Sequence, residues 1–363
     1  MSSGAVLPEG WQEFPAFTSL SVPVRLFVSP SGLRVCLLAC EGPLVSGYAV
    51  LATEATTNEY AHRDDGLPHT LEHLIFLGSE KYPFKGVLDK LANRCLAQGT
   101  NAWTDVDHTA YTITTAGSEG FLNLLPIYMD HVLFPTLTDE AFVTEIHHVT
   151  EEGDDKGVVY CEMQGRENGA ESLIDRACLD GLYPDPLCGY SSETGGTMFQ
   201  LRSCANDAIK RYHAEYYRPS NCCLVVTGGV DASELLATLS STEASIAAHA
   251  ESAPPALPRP WLREVEGHAA VEPWAGGTTA IEFPSEDEST GFVCLNWRTV
   301  PYEAFETALA RKMLWAYLTD SAVSPLQKAF VETDDALAGD VDHRAEVFRL
   351  GYDQLWFSDE GLL

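Results

Sequence analysis

Pro68-His69-Thr70-Leu71-Glu72-His73 is the stretch of this sequence that most constrains the fold. Leucine and isoleucine recur around it at helical spacing, which predicts a helix over residues 67–78 that ends at a glycine. His69 and His73 are four positions apart, so both imidazoles leave one helix face, and Glu72 points to the same side. Two imidazoles and a carboxylate at one spot are the minimum for a catalytic zinc site, here in the order H-x-x-E-H.

A polar helix face without a metal is the alternative, because eleven histidines in 363 residues will sometimes fall four apart. The apolar neighbours in 67–78 favour the zinc site, since they predict a partly buried position. Burying two imidazoles and a carboxylate without partners is costly, and a metal removes that cost. We therefore predict that His69 and His73 bind Zn²⁺ and that Glu72 takes a proton from the water on the metal.

A hydrolytic zinc site also needs a third protein ligand and one open position for water. Glu162, in Gly157-Val-Val-Tyr-Cys-Glu-Met-Gln-Gly165, lies amid apolar residues and is expected to be buried. Spacing alone does not separate it from the other candidates, which are His131, Glu145, His147 and His148. The two adjacent histidines would point about 100° apart on a helix, so at most one of them could join the site.

The charge balance argues against some partners. The chain has 53 acidic and 22 basic residues, a formal charge of −31, which repels nucleic acid and anionic membranes. Such a surface would attract basic peptides, although it could equally serve solubility. No uninterrupted apolar run approaches the roughly 20 residues of a membrane span, so we expect neither nucleic acid nor membrane as a partner.

The cysteines and the amino terminus bear on location. The ten cysteines form no C-x-x-C and no regular spacing, which indicates reduced thiols of an intracellular protein. Residues 1–19 contain neither an apolar stretch behind a basic start nor an arginine, so neither a secretory signal nor a mitochondrial presequence is evident. We predict a cytoplasmic protein.

Hydrophobic patterns along the chain predict an α+β fold. Strands are predicted at 33–39, 47–53, 101–104, 108–115, 222–227, 278–283 and 292–297. Further helices are predicted at 87–96, 119–132, 139–149, 158–179, 205–217 and 305–319. A Ser-, Ala- and Pro-rich stretch at 237–260 predicts a linker between a zinc-binding unit at 1–236 and a second, incomplete unit at 261–363.

Several motifs in register carry a family resemblance. They are Pro68-His69-Thr70-Leu71-Glu72-His73, Gly78-Ser-Glu-Lys-Tyr-Pro83, Asn101-Ala-Trp-Thr104, Gly157-Val-Val-Tyr-Cys-Glu-Met-Gln-Gly165 and Tyr216-Tyr-Arg-Pro-Ser-Asn221. Together they resemble the pitrilysin/insulysin superfamily of zinc metallopeptidases, the inverzincins, and within it the presequence-protease-like branch. The resemblance covers residues 33–230 well and continues weakly through 293–297 and 324–328.

The resemblance implies a metalloendopeptidase that cleaves short unfolded peptides. It implies zinc bound by His69, His73 and Glu162, with Glu72 as the general base. It further implies that the strand carrying Asn101, Ala102 and Trp103 binds the peptide by β-augmentation. A mitochondrial location is the alternative by family analogy only.

The implied architecture is a series of layered α/β roll units, each an antiparallel sheet with helices packed on one side. Full members of the branch contain four such units in two halves, and the carboxy-terminal half brings an arginine and a tyrosine to the substrate. This chain corresponds to one complete unit and part of a second. The alternative function is therefore a zinc-stabilised peptide-binding module with weak or no catalysis, which acts with a missing carboxy-terminal half or by self-association.

Overall fold

A computed structural model of the chain describes residues 7–15, 22–54, 64–185, 188–249, 272–273, 276–286, 289–346 and 350–360. The chain divides into two compact units. The first comprises residues 1–164 and 192–263, and the second comprises residues 165–191 and 264–363.

A twisted sheet forms the first unit's framework. In the described residues its seven strands are β1 (Gln12–Phe14), β2 (Val24–Val28), β3 (Arg34–Leu38), β4 (Leu44–Leu51), β5 (Asn101–Thr104), β6 (Thr109–Ala116) and β9 (Cys222–Thr227). Strands β7 (His148–Val149) and β8 (Asp155–Lys156) form a separate two-stranded hairpin. The order of the seven strands is β1-β2-β3-β9-β4-β6-β5. All neighbours are antiparallel except β3 and β9, which run parallel.

One face of this sheet is buried. Along β4 the side chains of Val45, Ala49 and Leu51 face the core, whereas the intervening residues are half-buried, the period of two that a strand imposes. Gly47 lies on the buried face, and a Cβ there would lie 2.6 Å from the ring of Phe121. The missing side chain lets a helix approach the middle of the sheet closely.

The helices of the first unit pack on the sheet in one hydrophobic core. They are α1 (Leu67–Ile75), α2 (Val87–Arg94), α3 (Ser118–Leu133), α4 (Asp139–Glu145), α5 (Val158–Arg166) and, after α6 (Ala170–Leu182) of the second unit, α7 (Met198–Ser203), α8 (Asn206–Tyr216) and α9 (Ala232–His249). Short 3₁₀ turns occur at Gly189–Ser191 and Pro219–Asn221. Within the described residues no helix has the length and apolarity of a membrane span.

The second unit contains α6, β10 (Thr290–Arg298), α10 (Phe305–Thr319), α11 (Pro325–Phe330), β11 (Asp340–Glu346) and β12 (Tyr352–Glu360). Its described strands form an antiparallel sheet in the order β10-β12-β11. Trp356 packs with residues of α6, while Val341 and Leu355 form a separate apolar cluster. Asp353 is fully buried and is paired with Arg311, whose Nε lies 3.1 Å from its carboxylate.

The α+β class and the antiparallel sheets with packed helices agree with prediction, but five local predictions were wrong. The predicted linker begins inside α9, which continues to His249 because Leu235, Leu236 and Leu239 are buried in the core; residues 250–260 lie outside the described residues. The predicted helix at 158–179 is two helices interrupted near Gly169, and residues 165–191 belong to the second unit rather than to 1–236.

The other two corrections concern shorter elements. The helix predicted at 139–149 ends at Glu145, and the chain then forms the β7–β8 hairpin. Residues 278–283, predicted as a strand, are irregular and mostly exposed. No strand of the described sheets lies beside them to complete the backbone hydrogen bonds that a strand needs.

Candidate metal centre

Helix α1 presents the two histidines of the motif. It begins after Gly66, whose backbone is left-handed (φ 69°), and it has a proline in its first turn, where no helical N–H is needed. Its leucines and Ile75 are buried in the core. This burial fixes the helix about its axis, so that His69 and His73 emerge half-buried on the remaining face.

Helix α5 brings the third side chain. Val159, Tyr160 and Met163 are buried and hold the helix against the core. Glu162 projects from another face with 40% of its side chain exposed, so the expected burial of this residue was wrong. Its carboxylate nevertheless faces the two imidazoles of α1.

The three side chains converge. The Nε2 of His69 lies 3.6 Å from Oε1 of Glu162, and the Nε2 of His73 lies 3.5 Å from Oε2 of Glu162. The imidazole rings are nearly perpendicular, at 86°, with centroids 4.8 Å apart. Among the described residues these three form the one group of His, Cys, Asp or Glu side chains that could hold a metal ion.

The three side chains are close enough to share one zinc ion. In a tetrahedral site with ligand atoms about 2.1 Å from the metal, neighbouring ligand atoms are about 3.4 Å apart. The two nitrogen–oxygen distances, 3.5 and 3.6 Å, are close to that value but end on the two different oxygens of Glu162. One ligand atom from each of the three residues lies within 4.8 Å of the others, a wider spacing than that of a bound tetrahedral ion. Two neutral imidazoles and one carboxylate are also a donor set that catalytic zinc uses, with a fourth position left for water.

Glu72 lies beside this group and is itself buried, with 9% of its surface exposed. Its Oε2 accepts a hydrogen bond of 2.6 Å from the hydroxyl of Thr104, the last residue of β5. Burial raises the pKa of Glu72, an effect that the Thr104 hydrogen bond and nearby His73 reduce but do not cancel. A carboxyl group with a raised pKa is suited to take up and return a proton.

Strand β5 forms an edge of the described sheet. It pairs with β6 on one side and is the last strand in the order. Asn101 and Trp103 are exposed on it, whereas Ala102 is half-buried. The indole Nε1 of Trp103 donates a hydrogen bond of 2.9 Å to His108, which orients the exposed ring. All three predicted substrate-binding residues therefore lie on a strand whose last residue contacts Glu72.

A second carboxylate stands behind His73. The Oε1 of Glu145, at the end of α4, lies 3.7 Å from Nδ1 of His73, the ring nitrogen that faces away from Glu162. Its Oε2 lies 3.7 Å from Nζ of Lys85. Proximity to His73, and then to Lys85, lowers the pKa of Glu145. Burial opposes the charged form of His73, but Glu145 and the neighbouring carboxylates outweigh it and raise the pKa of the ring.

The remaining sequence candidates are engaged elsewhere. Nδ1 of His131 lies 2.8 Å from a carbonyl of its own helix, and Nε2 of His147 lies 2.7 Å from the Asp155 carboxylate. Nδ1 of His148 lies 3.1 Å from the carbonyl of Val143. The sequence indicates Glu145 only as a candidate ligand, and it gives no sign of the role of Thr104, because the motif Asn101-Ala-Trp-Thr104 carries no signal of a contact with the helix.

Two family models match the chain. The model described as Insulinase (Peptidase family M16) matches residues 59–159, which include the motif of α1. The model described as Peptidase M16 inactive domain matches residues 203–353. The two matches together span most of the described chain in both units.

Curated relatives are much longer than this chain. An uncharacterized protein of Caenorhabditis elegans is 43% identical over 92% of this chain and 32% of its own length. An uncharacterized protein of Saccharomyces cerevisiae is 40% identical over 84% of the chain and 29% of its own length. The mitochondrial presequence protease of Xenopus laevis is 29% identical over 74% of the chain and 26% of its own length. The chain thus spans about a third or less of these relatives.

Solved structures share the fold at low identity. A protease from Helicobacter pylori superposes with a TM-score of 0.74 at 19% identity, covering 94% of this chain and 76% of that one. Pitrilysin superposes with a TM-score of 0.64 at 15% identity, covering 96% of this chain and 35% of that one. From the family models, the relatives and the shared fold it follows that this chain belongs to the pitrilysin (M16) family of peptidases, in its presequence-protease-like group.

Proposed function

We propose that this chain is the zinc-binding part of a metalloendopeptidase that hydrolyses short unfolded peptides. The observation that carries the proposal is the convergence of His69, His73 and Glu162, with one ligand atom from each within 4.8 Å of the others, in a donor set that catalytic zinc uses. Membership of a peptidase family supports the reaction class.

Zinc held by these three side chains would lower the pKa of a water molecule and polarise a peptide carbonyl. Glu72 supplies the proton transfer. Thr104 occupies its Oε2, which leaves Oε1 to accept a proton from the attacking water. The protonated carboxyl group then delivers that proton to the leaving nitrogen of the peptide. Burial, by raising the pKa of Glu72, favours the first step, in which the carboxylate takes up the proton.

Strand β5 is the proposed binding site for the peptide backbone. An edge strand offers unpaired N–H and C=O groups, so an extended peptide can add to it as a further strand. Such pairing needs an unfolded substrate, because a folded one has already used its backbone hydrogen bonds. Since Thr104 ends β5 and contacts Glu72, a peptide that pairs with Asn101, Ala102 and Trp103 runs toward the proton-transfer group.

A second candidate function is a zinc-stabilised peptide-binding module with little catalysis. The match of residues 203–353 to a domain described as inactive favours it. In that case the metal stabilises the α1–α5 arrangement and β5 binds the peptide, while turnover needs a partner half or self-association. A cytoplasmic location remains a prediction for either function.

An internally quenched unstructured peptide, assayed with added zinc and with a chelator, distinguishes the two functions. For the peptidase we expect one zinc per chain and turnover that the chelator abolishes. Glu72→Gln should keep its zinc and lose turnover by about 10²- to 10⁴-fold. Glu151→Gln, which alters an exposed carboxylate in the turn of the β7–β8 hairpin, is the matched control and should behave as the parent.

Two other outcomes would each contradict part of the peptidase proposal. Zinc-dependent peptide binding without chelator-sensitive turnover would support the binding module. Cleavage by Glu72→Gln at the parent rate would remove Glu72 from the mechanism.

A further inference from the structure

Two cysteines of the second unit face each other. The Sγ atoms of Cys178, on α6, and Cys294, on β10, are 3.8 Å apart although 116 residues separate them in sequence. Cys178 is buried beside Trp356, whereas Cys294 is half-buried and gives the pair a side toward solvent. The two sulfur atoms are therefore close enough in the folded chain for a covalent link between α6 and β10.

The surroundings of the two sulfurs differ. The side-chain amide of Asn296 donates a hydrogen bond of 2.9 Å to the Sγ of Cys178. The Cys294 thiol beside it is the largest cause of a lowered pKa at Cys178, and amide groups of Gln354 and Asn296 add to it. Cys294 has its pKa raised by the same contact. A proton is therefore lost more easily from Cys178, which becomes the nucleophile of the pair.

We propose that Cys178 and Cys294 form a peroxide-sensitive dithiol, a modification site that closes reversibly into a disulfide between α6 and β10. The sulfurs must approach from 3.8 Å to a bonding distance of about 2.05 Å. The proposal requires the two side chains to supply this movement by rotation about their Cα–Cβ bonds. The proposal is independent of the proposed peptidase function.

The chemistry balances with hydrogen peroxide as the oxidant. The Cys178 thiolate attacks one peroxide oxygen; an S–O bond forms, the O–O bond breaks, and hydroxide leaves as water after protonation. Cys294 then loses its proton and attacks the sulfur of the resulting sulfenic acid. An S–S bond forms, the S–O bond breaks, and a second water leaves. Two electrons pass from the two thiols to one peroxide.

Other cysteines of the chain serve as internal controls. Cys161 is exposed on α5, and no hydrogen bond or sulfur contact of the described residues links it to a second thiol. Cys222 is fully buried, and burial raises its pKa to about 12. An oxidant that acts by exposure alone should modify Cys161 first. An oxidant that finds a pre-arranged pair should link Cys178 to Cys294.

The test uses the full chain, reduced and then treated with hydrogen peroxide, followed by thiol titration and by mass spectrometry of a non-reducing digest. We expect loss of about two thiols, a mass decrease of about 2 Da, and a cross-linked peptide pair containing residues 178 and 294, all reversed by dithiothreitol. In Cys294→Ser the sulfenic acid at Cys178 should persist and react with dimedone. Cys161→Ser should form the cross-link as the parent does.

Diamide, which couples neighbouring thiols directly, separates geometry from peroxide reactivity. Absence of the 178–294 cross-link with both reagents overturns the proposed pair, and a cross-link with diamide alone overturns its peroxide sensitivity. Thermal unfolding gives an independent measurement. Oxidation should raise the unfolding midpoint of the parent but not of Cys178→Ser or Cys294→Ser, and an equal rise in all three would also overturn the proposal.

Discussion

The packing that holds α1 in place can be tested by substituting two glycines, each of which precedes a helix. Gly66 precedes α1 with φ 69°, and Gly86 precedes α2 with φ 78°, so both have the same left-handed backbone at the same helix position. A Cβ at Gly66 would lie 2.5 Å from the carbonyl oxygen of Gly195 and 2.9 Å from Cα of Gly196. A Cβ at Gly86 would meet nothing within 4 Å.

The magnitudes follow from this difference. Alanine in a left-handed conformation costs about 1–2 kcal/mol relative to glycine, and both variants incur this cost. At Gly66 the atoms that a Cβ would meet belong to the backbone of Gly195 and Gly196, so no side-chain rotation can relieve the clash. Gly196 also has a left-handed backbone (φ 81°). Overpacking of this kind costs about 1–3 kcal/mol more. We expect Gly66→Ala to lose about 2–5 kcal/mol of unfolding free energy, and Gly86→Ala about 1–2 kcal/mol.

Equilibrium denaturation in urea, followed by circular dichroism with zinc removed by a chelator, measures the two losses. Zinc affinity should distinguish the variants as well, because Gly66 lies one turn before His69 and the loop at Gly195 packs on Met163, next to Glu162. Gly66→Ala should bind zinc more weakly, and Gly86→Ala should bind it as the parent does. Equal destabilisation by the two substitutions would refute the crowding argument.

Other side chains give independent predictions. Glu162→Gln should weaken zinc binding by about 100-fold or more, since it changes a ligand rather than an outer group, and elemental analysis after dialysis would show it. Thr104→Val should keep zinc but lower turnover about 10- to 100-fold, because a charge-assisted hydrogen bond to Glu72 contributes about 1.5–3 kcal/mol, and Thr104→Ser should restore it. Burial lowers the pKa of His213 to about 4, below its unfolded value. Between about pH 6.5 and pH 4 the unfolded chain gains a proton at this histidine and the folded chain does not, so the stability falls as the pH falls through this range. His213→Gln should flatten that decline by about 1–3 kcal/mol in denaturation curves measured across this range.

Local geometry explains why part of the centre could be predicted from sequence. His69, Glu72 and His73 lie within one turn and a half of a helix, so helical periodicity alone fixes their common side. The strands β4 and β9 were likewise predictable, because each coincides with a short apolar run in the sequence. In each case the signal and the structure it specifies lie in the same short segment.

Tertiary packing decided what could not be predicted. The Ser/Ala-rich part of α9 has no strong apolar period, and its helix is stabilised by the burial of a few leucines against the first unit's core. Composition alone therefore indicated a linker there. Glu162 was expected to be buried because its neighbours in sequence are apolar, yet those neighbours take the core-facing positions of α5 and leave the carboxylate at the surface.

The choice between Glu145 and Glu162 shows what the sequence lacks. Both carboxylates lie within 4 Å of the His73 ring, so proximity does not separate a ligand from a supporting group. The ring has two nitrogens that point in opposite directions, and Glu162 faces Nε2 whereas Glu145 faces Nδ1. A carboxylate at Nδ1 favours the proton on that nitrogen, which leaves the lone pair of Nε2 directed at the site shared with His69 and Glu162. In the proposed zinc site the two acids would complement each other, Glu162 as a ligand and Glu145 as a support of His73. This division rests on the orientation of one imidazole, which sequence spacing does not determine.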